Sequence, residues 1–131
     1  MPIGAVTRLH LRSGRFLPPF LWYTFRSARQ AKRTPGNLGV QVRRSSGFAF
    51  WTLSVWQTIE AMKIFMFALL HREAMRKLPQ WCDEASFSDW EQASAEWPSW
   101  DQAAEKLRVT GHLARVLYPS EQQKAGKIVT S

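Results

Sequence analysis

The sequence predicts a single α+β domain whose elements follow one another as strand, helix, strand, strand, helix, strand, with a further helix appended. Three observations predict it. Residues 4–12 and 48–56 alternate with the period of a strand. Residues 20–33 and 59–78 space their apolar side chains with the period of a helix. A length of 131 residues suits one core and leaves no room for two.

In residues 4–12, Ala5, Thr7, Leu9 and Leu11 point one way and Val6, Arg8, His10 and Arg12 the other. Pro18 and Pro19 open the first helix, where a missing amide hydrogen costs nothing. Leu21, Thr24, Ala28 and Ala31 form its stripe, widened by Trp22 and Phe25, and Arg26, Arg29, Lys32 and Arg33 fall on its outside and last turn. Thr34-Pro35-Gly36-Asn37 ends it, and a short strand over 38–43 follows.

The strand 48–56 carries the most information. Phe48, Phe50, Thr52, Ser54 and Trp56 share one face, and Ala49, Trp51, Leu53 and Val55 the other. Neither face suits water, whereas a half-wetted strand would show charge at alternate positions. Two helices cover one face; the second is expected to pack on another copy of the chain.

Thr58 caps the next helix, with Glu60 in its first turn. Pro79 stops or kinks that helix, and residues 81–84 read as one further turn. Phe87–Ala93 is expected as a weakly patterned edge strand. Ser99 and Gln102 form a capping box that opens a helix to Val109, closed by Gly111. Residues 112–118 suit a strand or a packed extension, and 119–131 are small and polar. The reading is one domain over 1–118 and a flexible tail over 119–131. The element order is that of a ferredoxin-like domain, βαββαβ, with an appended C-terminal helix.

Composition narrows the function. Residues 1–59 carry nine Arg or Lys and no acid, and all ten carboxylates lie at or beyond Glu60. A net charge of +8 favours loose contact with polyanions. No zinc-finger spacing, helix-turn-helix pair or sheet-borne aromatic order marks a specific nucleic-acid reader. Cys82 is the one cysteine, so neither an internal disulfide nor an all-thiolate metal site can form. It reads as a small buried filler and fits a reducing cytosol, so a cytoplasmic location is expected. The first residues lack a signal-peptide pattern, and the longest apolar run, Ile64–Leu70, is too short to span a bilayer. Three histidines spread along the chain give no metal-ligand spacing, and no glycine-rich phosphate loop or nucleophile elbow is present.

Residues 48–81 resemble the dimeric α/β-barrel superfamily of antibiotic-biosynthesis monooxygenases, and look closest to a bacterial branch of unknown function. The resemblance rests on Trp56 at a strand end, Phe65 and His71 on the helix, and Trp81-Cys82 after it. Asp89-Trp90-Glu91, the turn Trp97-Pro98-Ser99-Trp100 and Leu107–Gly111 extend it to about residue 111. It implies a homodimer joined through the sheet face into a shared barrel. It also implies a pocket in each subunit between the sheet and its two helices. Members range from cofactor-free oxygenation of quinol-like aromatics, through haem binding and degradation, to proteins without known activity. Two departures stand out: Met75 replaces the axial histidine of the haem-degrading members, and Cys82 stands where the closer branch favours Phe.

His71 is the candidate catalytic base, on an apolar helix stripe between Phe67 and Met75. A core imidazole bonded to backbone is the competing reading. Trp22, Phe25, Trp51, Phe65, Phe67, Met75 and Trp81 are the candidate ligand-binding residues, each with plain packing as its alternative. His10, beside Arg8 and Arg12, suits either an anion or a subunit seam. The expected function is a monooxygenase-like protein that binds a small apolar or aromatic molecule without a cofactor. A non-enzymatic dimer and haem binding through His71 or Met75 are the other two readings.

Overall fold

The computed structural model describes residues 1–68 and 76–131. Strand β1 (Ile3–Leu11) leads through a 3-10 turn at Gly14–Phe16 into α1 (Leu17–Arg33), which has proline in its first turn as expected. Strands β2 (Asn37–Arg44) and β3 (Ala49–Trp56) follow. Helix α2 (Ile59–Met66) starts where the Thr58 hydroxyl accepts from the amide of Ala61, at 3.2 Å. Residues 76–81 are helical, and β4 (Cys82–Glu91) begins directly after them. Helix α3 (Trp100–Thr110) opens on the reciprocal cap between Ser99 and Gln102. A two-residue strand β5 (His112–Leu113) and a short helix α4 (Glu121–Lys124) complete the chain.

The strands form one antiparallel sheet in the order β2-β3-β1-β4-β5. Its first four strands have the ferredoxin-like arrangement, with β5 added beyond β4. Directly paired residues share a face. Val6, opposite Leu53 and Ser88, belongs to one face; Leu9, opposite Phe50 and Ala85, belongs to the other.

The inner face meets α1 and α2 in two separate clusters. One joins Ile3 and Trp56 to Ala31 of α1 and to Ala61 and Met62 of α2. The other joins Leu11, Phe50 and Cys82 to Phe20, whose ring lies 5.1 Å from that of Phe50. Cys82 is the buried filler that the sequence suggests.

The outer face corrects the expectation that a second copy is needed to cover it. Ala103 and Leu107 of α3, both fully buried, pack on Val6, Trp51 and Leu53, with Ile128 and three tryptophans around them. The appended helix and the residues after it therefore shield strand β3 within one chain. Residues 119–131 lie along this face: Ile128 joins the cluster, and Gln123 donates to the carbonyl of Ala114 at 2.8 Å.

Three further expectations differ. Strand β4 starts at Cys82, where a helical turn was expected, because a register shift beside His10 and Leu11 lets β1 pair with it that early. Beyond β1 it is covered by β5 only at Ser86 and Phe87, so its second half forms an edge as expected. The buried serines on its outer face disguise the burial: Ser88 is sealed by a 2.8 Å hydroxyl contact with Thr110. The helix expected over 59–78 is observed as α2, capped at Phe67, and as the helical residues 76–81; the stretch between them lies outside the described residues. The extension expected over 112–118 pairs only through two residues.

Candidate functional site

The two inner-face clusters do not merge into one. Thr7 and Thr52 face each other across β1 and β3, and Ser54 lies opposite Ala5 on the same face. All three hydroxyl residues are half-buried, although they sit on a central strand pair. They make a polar floor roughly midway along an otherwise apolar face. The alternation of residues 48–56 already puts Thr52 and Ser54 there; Thr7 follows from the pairing with β1.

Aromatic side chains stand at both ends of this floor. At one end Phe65 stacks on Trp56 with ring centres 5.4 Å apart, and the Trp56 indole donates to the Ser54 hydroxyl at 3.0 Å. At the other, Trp81 meets Tyr23 edge-on at 6.3 Å, next to the Phe20–Phe50 pair. Flat apolar walls with a few fixed hydroxyls are the usual lining of a small-molecule site.

Of the candidate ligand-binding residues, Phe65 and Trp81 lie on this side, packed against the two clusters. Trp51 does not: it sits on the outer face beneath α3, and its indole donates to Ser45. Its alternate position along β3 decides this, since neighbouring residues of a strand point to opposite faces. Trp22, Phe25 and Phe67 face solvent, with 65%, 63% and 69% of their surface exposed. In α1 the buried stripe runs through Phe20, Tyr23 and Ala31, which turns Trp22 and Phe25 outward. His71 and Met75 lie outside the described residues.

Two clefts open elsewhere. One of about 390 Å³ is lined by Arg26, Arg29, Gln30 and Arg33 of α1. The other, about 320 Å³, lies between the end of β4 and the start of α3, lined by Trp90, Gln92, Trp97 and Lys106 among others. Among the described residues, no three potential metal ligands converge.

The strongest electrostatic feature is on the outer face. Arg8, 3% exposed, donates to Glu84 at 2.8 Å and to the backbone carbonyl of Ser131 at 3.1 Å. Ser120 donates to the second oxygen of Glu84, and His10 contacts Asp83 at 2.6 Å. Burial alone would raise the pKa of Glu84; the hydrogen bonds from Arg8 and Ser120, with the charges of Arg8 and His10, outweigh it and hold the carboxyl below its ordinary range. The polar face that carries His10 thus fastens the C-terminal residues of the same chain. Burial first, and the Asp83 charge second, push the Cys82 thiol up to about 12.

Comparison with known proteins agrees with this architecture. The profile described as "Domain of unknown function (DUF3291)" matches residues 17–115. No functionally curated protein matches the chain. Among solved structures, SnoaB, a cofactor-independent oxygenase from Streptomyces nogalater, superposes with a TM-score of 0.61 at 14% identity; the match covers 75% of this chain and 98% of that one. An antibiotic biosynthesis monooxygenase candidate from Nitrosomonas europaea gives 0.65 at 12% identity, over 73% and 94% of the two chains. Rv0793 from Mycobacterium tuberculosis gives 0.64 at 9% identity, over 72% and 100%. At these identities the likeness establishes the fold of the antibiotic-biosynthesis monooxygenases and nothing of their chemistry.

Proposed function

From the premise that the chain belongs to the DUF3291 family, we propose that it is a monooxygenase-like protein that binds a small aromatic molecule on the inner face of its sheet. The observation that carries this reading is the hydroxyl floor of Thr7, Thr52 and Ser54 between two aromatic walls. A small aromatic ligand would stack on Phe65 or on Trp81, and its own hydroxyl would meet the threonines. The fold is shared with a cofactor-independent oxygenase, which is compatible with this reading.

In the catalytic form of this proposal, His71 takes the proton of an acidic phenol or enol. An imidazole titrates near neutrality and suits that step. The resulting anion reacts with dioxygen: one oxygen atom enters the product, and the other leaves as water with two hydrogens from the substrate. Met75 belongs to the same proposal as a wall residue. No cofactor is required, and the reading places the protein in the cytoplasm.

Pairing with a second copy is also proposed. Because α3 and the last residues occupy the outer face, the contact must use a surface other than the bare strands. Sedimentation equilibrium reads it directly: a monomer at micromolar concentration removes this part of the proposal.

The main test is a thermal-shift and native mass-spectrometry screen of small phenols and enols against the full chain. A retained ligand whose binding is lost in Thr52→Leu, which fills the floor, supports the reading. Oxygen uptake lost in His71→Ala would add the catalytic step. Binding without turnover would leave a carrier. Hits that ignore Thr52→Leu, or no hits at all, would overturn the site.

A further inference from the structure

The outward side of α1 carries a pattern that neither the core nor the inner-face site uses. Leu21, Trp22, Phe25, Arg26, Arg29, Lys32 and Arg33 are all exposed. At 100° per residue they fall within an arc of about 140°, opposite the buried stripe. The apolar three occupy the first half of the helix and the four cations the second. Leu21, Trp22 and Phe25 leave 46%, 65% and 63% of their surface open, unusual for side chains of that size. Helix α1 itself carries no acid, since the first carboxylate in the chain is Glu60.

Two details sharpen the pattern. Arg26 lies over the Trp22 ring at 6.0 Å, which joins the aromatic half to the cationic half. The cleft of about 390 Å³ among Arg26, Arg29, Gln30 and Arg33 is large enough for a phosphate group flanked by guanidinium donors. Helix α2, on the same side of the sheet, adds exposed Lys63, Ile64 and Phe67, with Glu60 as its one exposed acid.

We propose that the outward side of α1 is a docking surface for an anionic lipid bilayer. Trp22, Phe25 and Leu21 enter the interface between headgroups and acyl chains, and Arg26, Arg29, Lys32 and Arg33 hold lipid phosphates. The combination is that of a helix lying in the membrane plane: an apolar patch with two aromatics, flanked by cations without acids. Nucleic acid is the competing polyanion. It fits less well, because aliphatic Leu21 and Ile64 offer no ring for a base to stack on.

Co-flotation of the full chain with vesicles tests this. The chain should float with vesicles of phosphatidylcholine and phosphatidylglycerol and stay behind with phosphatidylcholine alone. Arg29→Ala with Arg33→Ala should weaken binding about thirtyfold, at about fivefold per cation near an anionic surface. Trp22→Ala with Phe25→Ala should weaken it at least about a hundredfold, about tenfold or more for each ring taken out of water. Lys124→Ala with Lys127→Ala removes as much charge from the far end of the chain and should change nothing. All six side chains are exposed, so circular dichroism should confirm folded variants. Absence of flotation with anionic vesicles overturns the proposal. Equal losses in the Arg and Lys pairs, with none in the aromatic pair, also overturn it and leave plain charge attraction. So does a self-associated chain, seen by sedimentation, that the aromatic pair alone dissociates. Tight binding of duplex DNA or RNA that outcompetes the vesicles would assign the surface to nucleic acid instead.

Discussion

At the scale of single residues, burial decides reactivity and tolerance. Cys82 is completely enclosed and its thiol pKa stands at about 12. Because only the thiolate attacks, iodoacetamide at pH 8 should leave the native protein unlabelled and label it fully in denaturant. Fast native labelling would contradict the packing around Phe20 and Phe50. Gly4 offers a second check. A methyl group there would sit 2.5 Å from the Trp90 indole on the neighbouring strand. Gly4→Ala should therefore destabilise by about 1–3 kcal/mol in a denaturant titration, the usual cost of overfilling a packed site. Both environments were legible in part: Cys82 from its apolar setting, but Gly4 only once β4 was seen to reach it. Pocket residues were harder. Trp22 and Phe25 look like a widened apolar stripe on paper, and only the sheet decides which edge of the stripe turns inward.

At the scale of elements, α3 is the decisive one. Its buried set is small, with Ala103 and Leu107 fully enclosed and Trp100 partly so. That modest stripe is why its covering role could not be read from sequence. The strands were easier where alternation was strong, as in 48–56, and harder in β4, where Ser86 and Ser88 are buried although polar, Ser88 against the Thr110 hydroxyl. Leu107→Ala should cost about 2–5 kcal/mol, the range for emptying a fully buried leucine site. Ala103→Asp should cost roughly 3–5 kcal/mol by burying an unpaired charge. It should also lift α3 from Trp51 and Leu53, with a rise in dye binding to exposed apolar surface. If that variant is as stable as the parent, α3 does not shield the sheet.

At the scale of the whole molecule, the sequence showed the element order and the oily second face of β3, yet not the shield. Seven tryptophans suggested a core, interface or pocket; four of them, Trp51, Trp90, Trp97 and Trp100, gather beneath or beside α3. The ionic fastening of the C-terminal residues has a pH signature. Glu84 has a folded pKa below its ordinary 4.5, so its contribution to stability is complete above that value and is lost as pH falls through the folded one. Acid titration should loosen residues 117–131 first, and Glu84→Gln should flatten that step. Amide exchange of those residues at pH 7 and pH 3 measures it; equal protection at both would contradict the fastening.

The position of β1 at the centre of the sheet has a consequence for synthesis. Its hydrogen-bonding neighbours on the two sides are β3 and β4, so β1 gains its second neighbour only after residue 91 is made. At about 5–20 residues per second, roughly 4–16 s pass between the two ends of that pairing. During that interval Val6, Leu9 and Leu11 are without their final cover. A nascent-chain release assay should find the chain most prone to misassembly when arrested between β3 and β4.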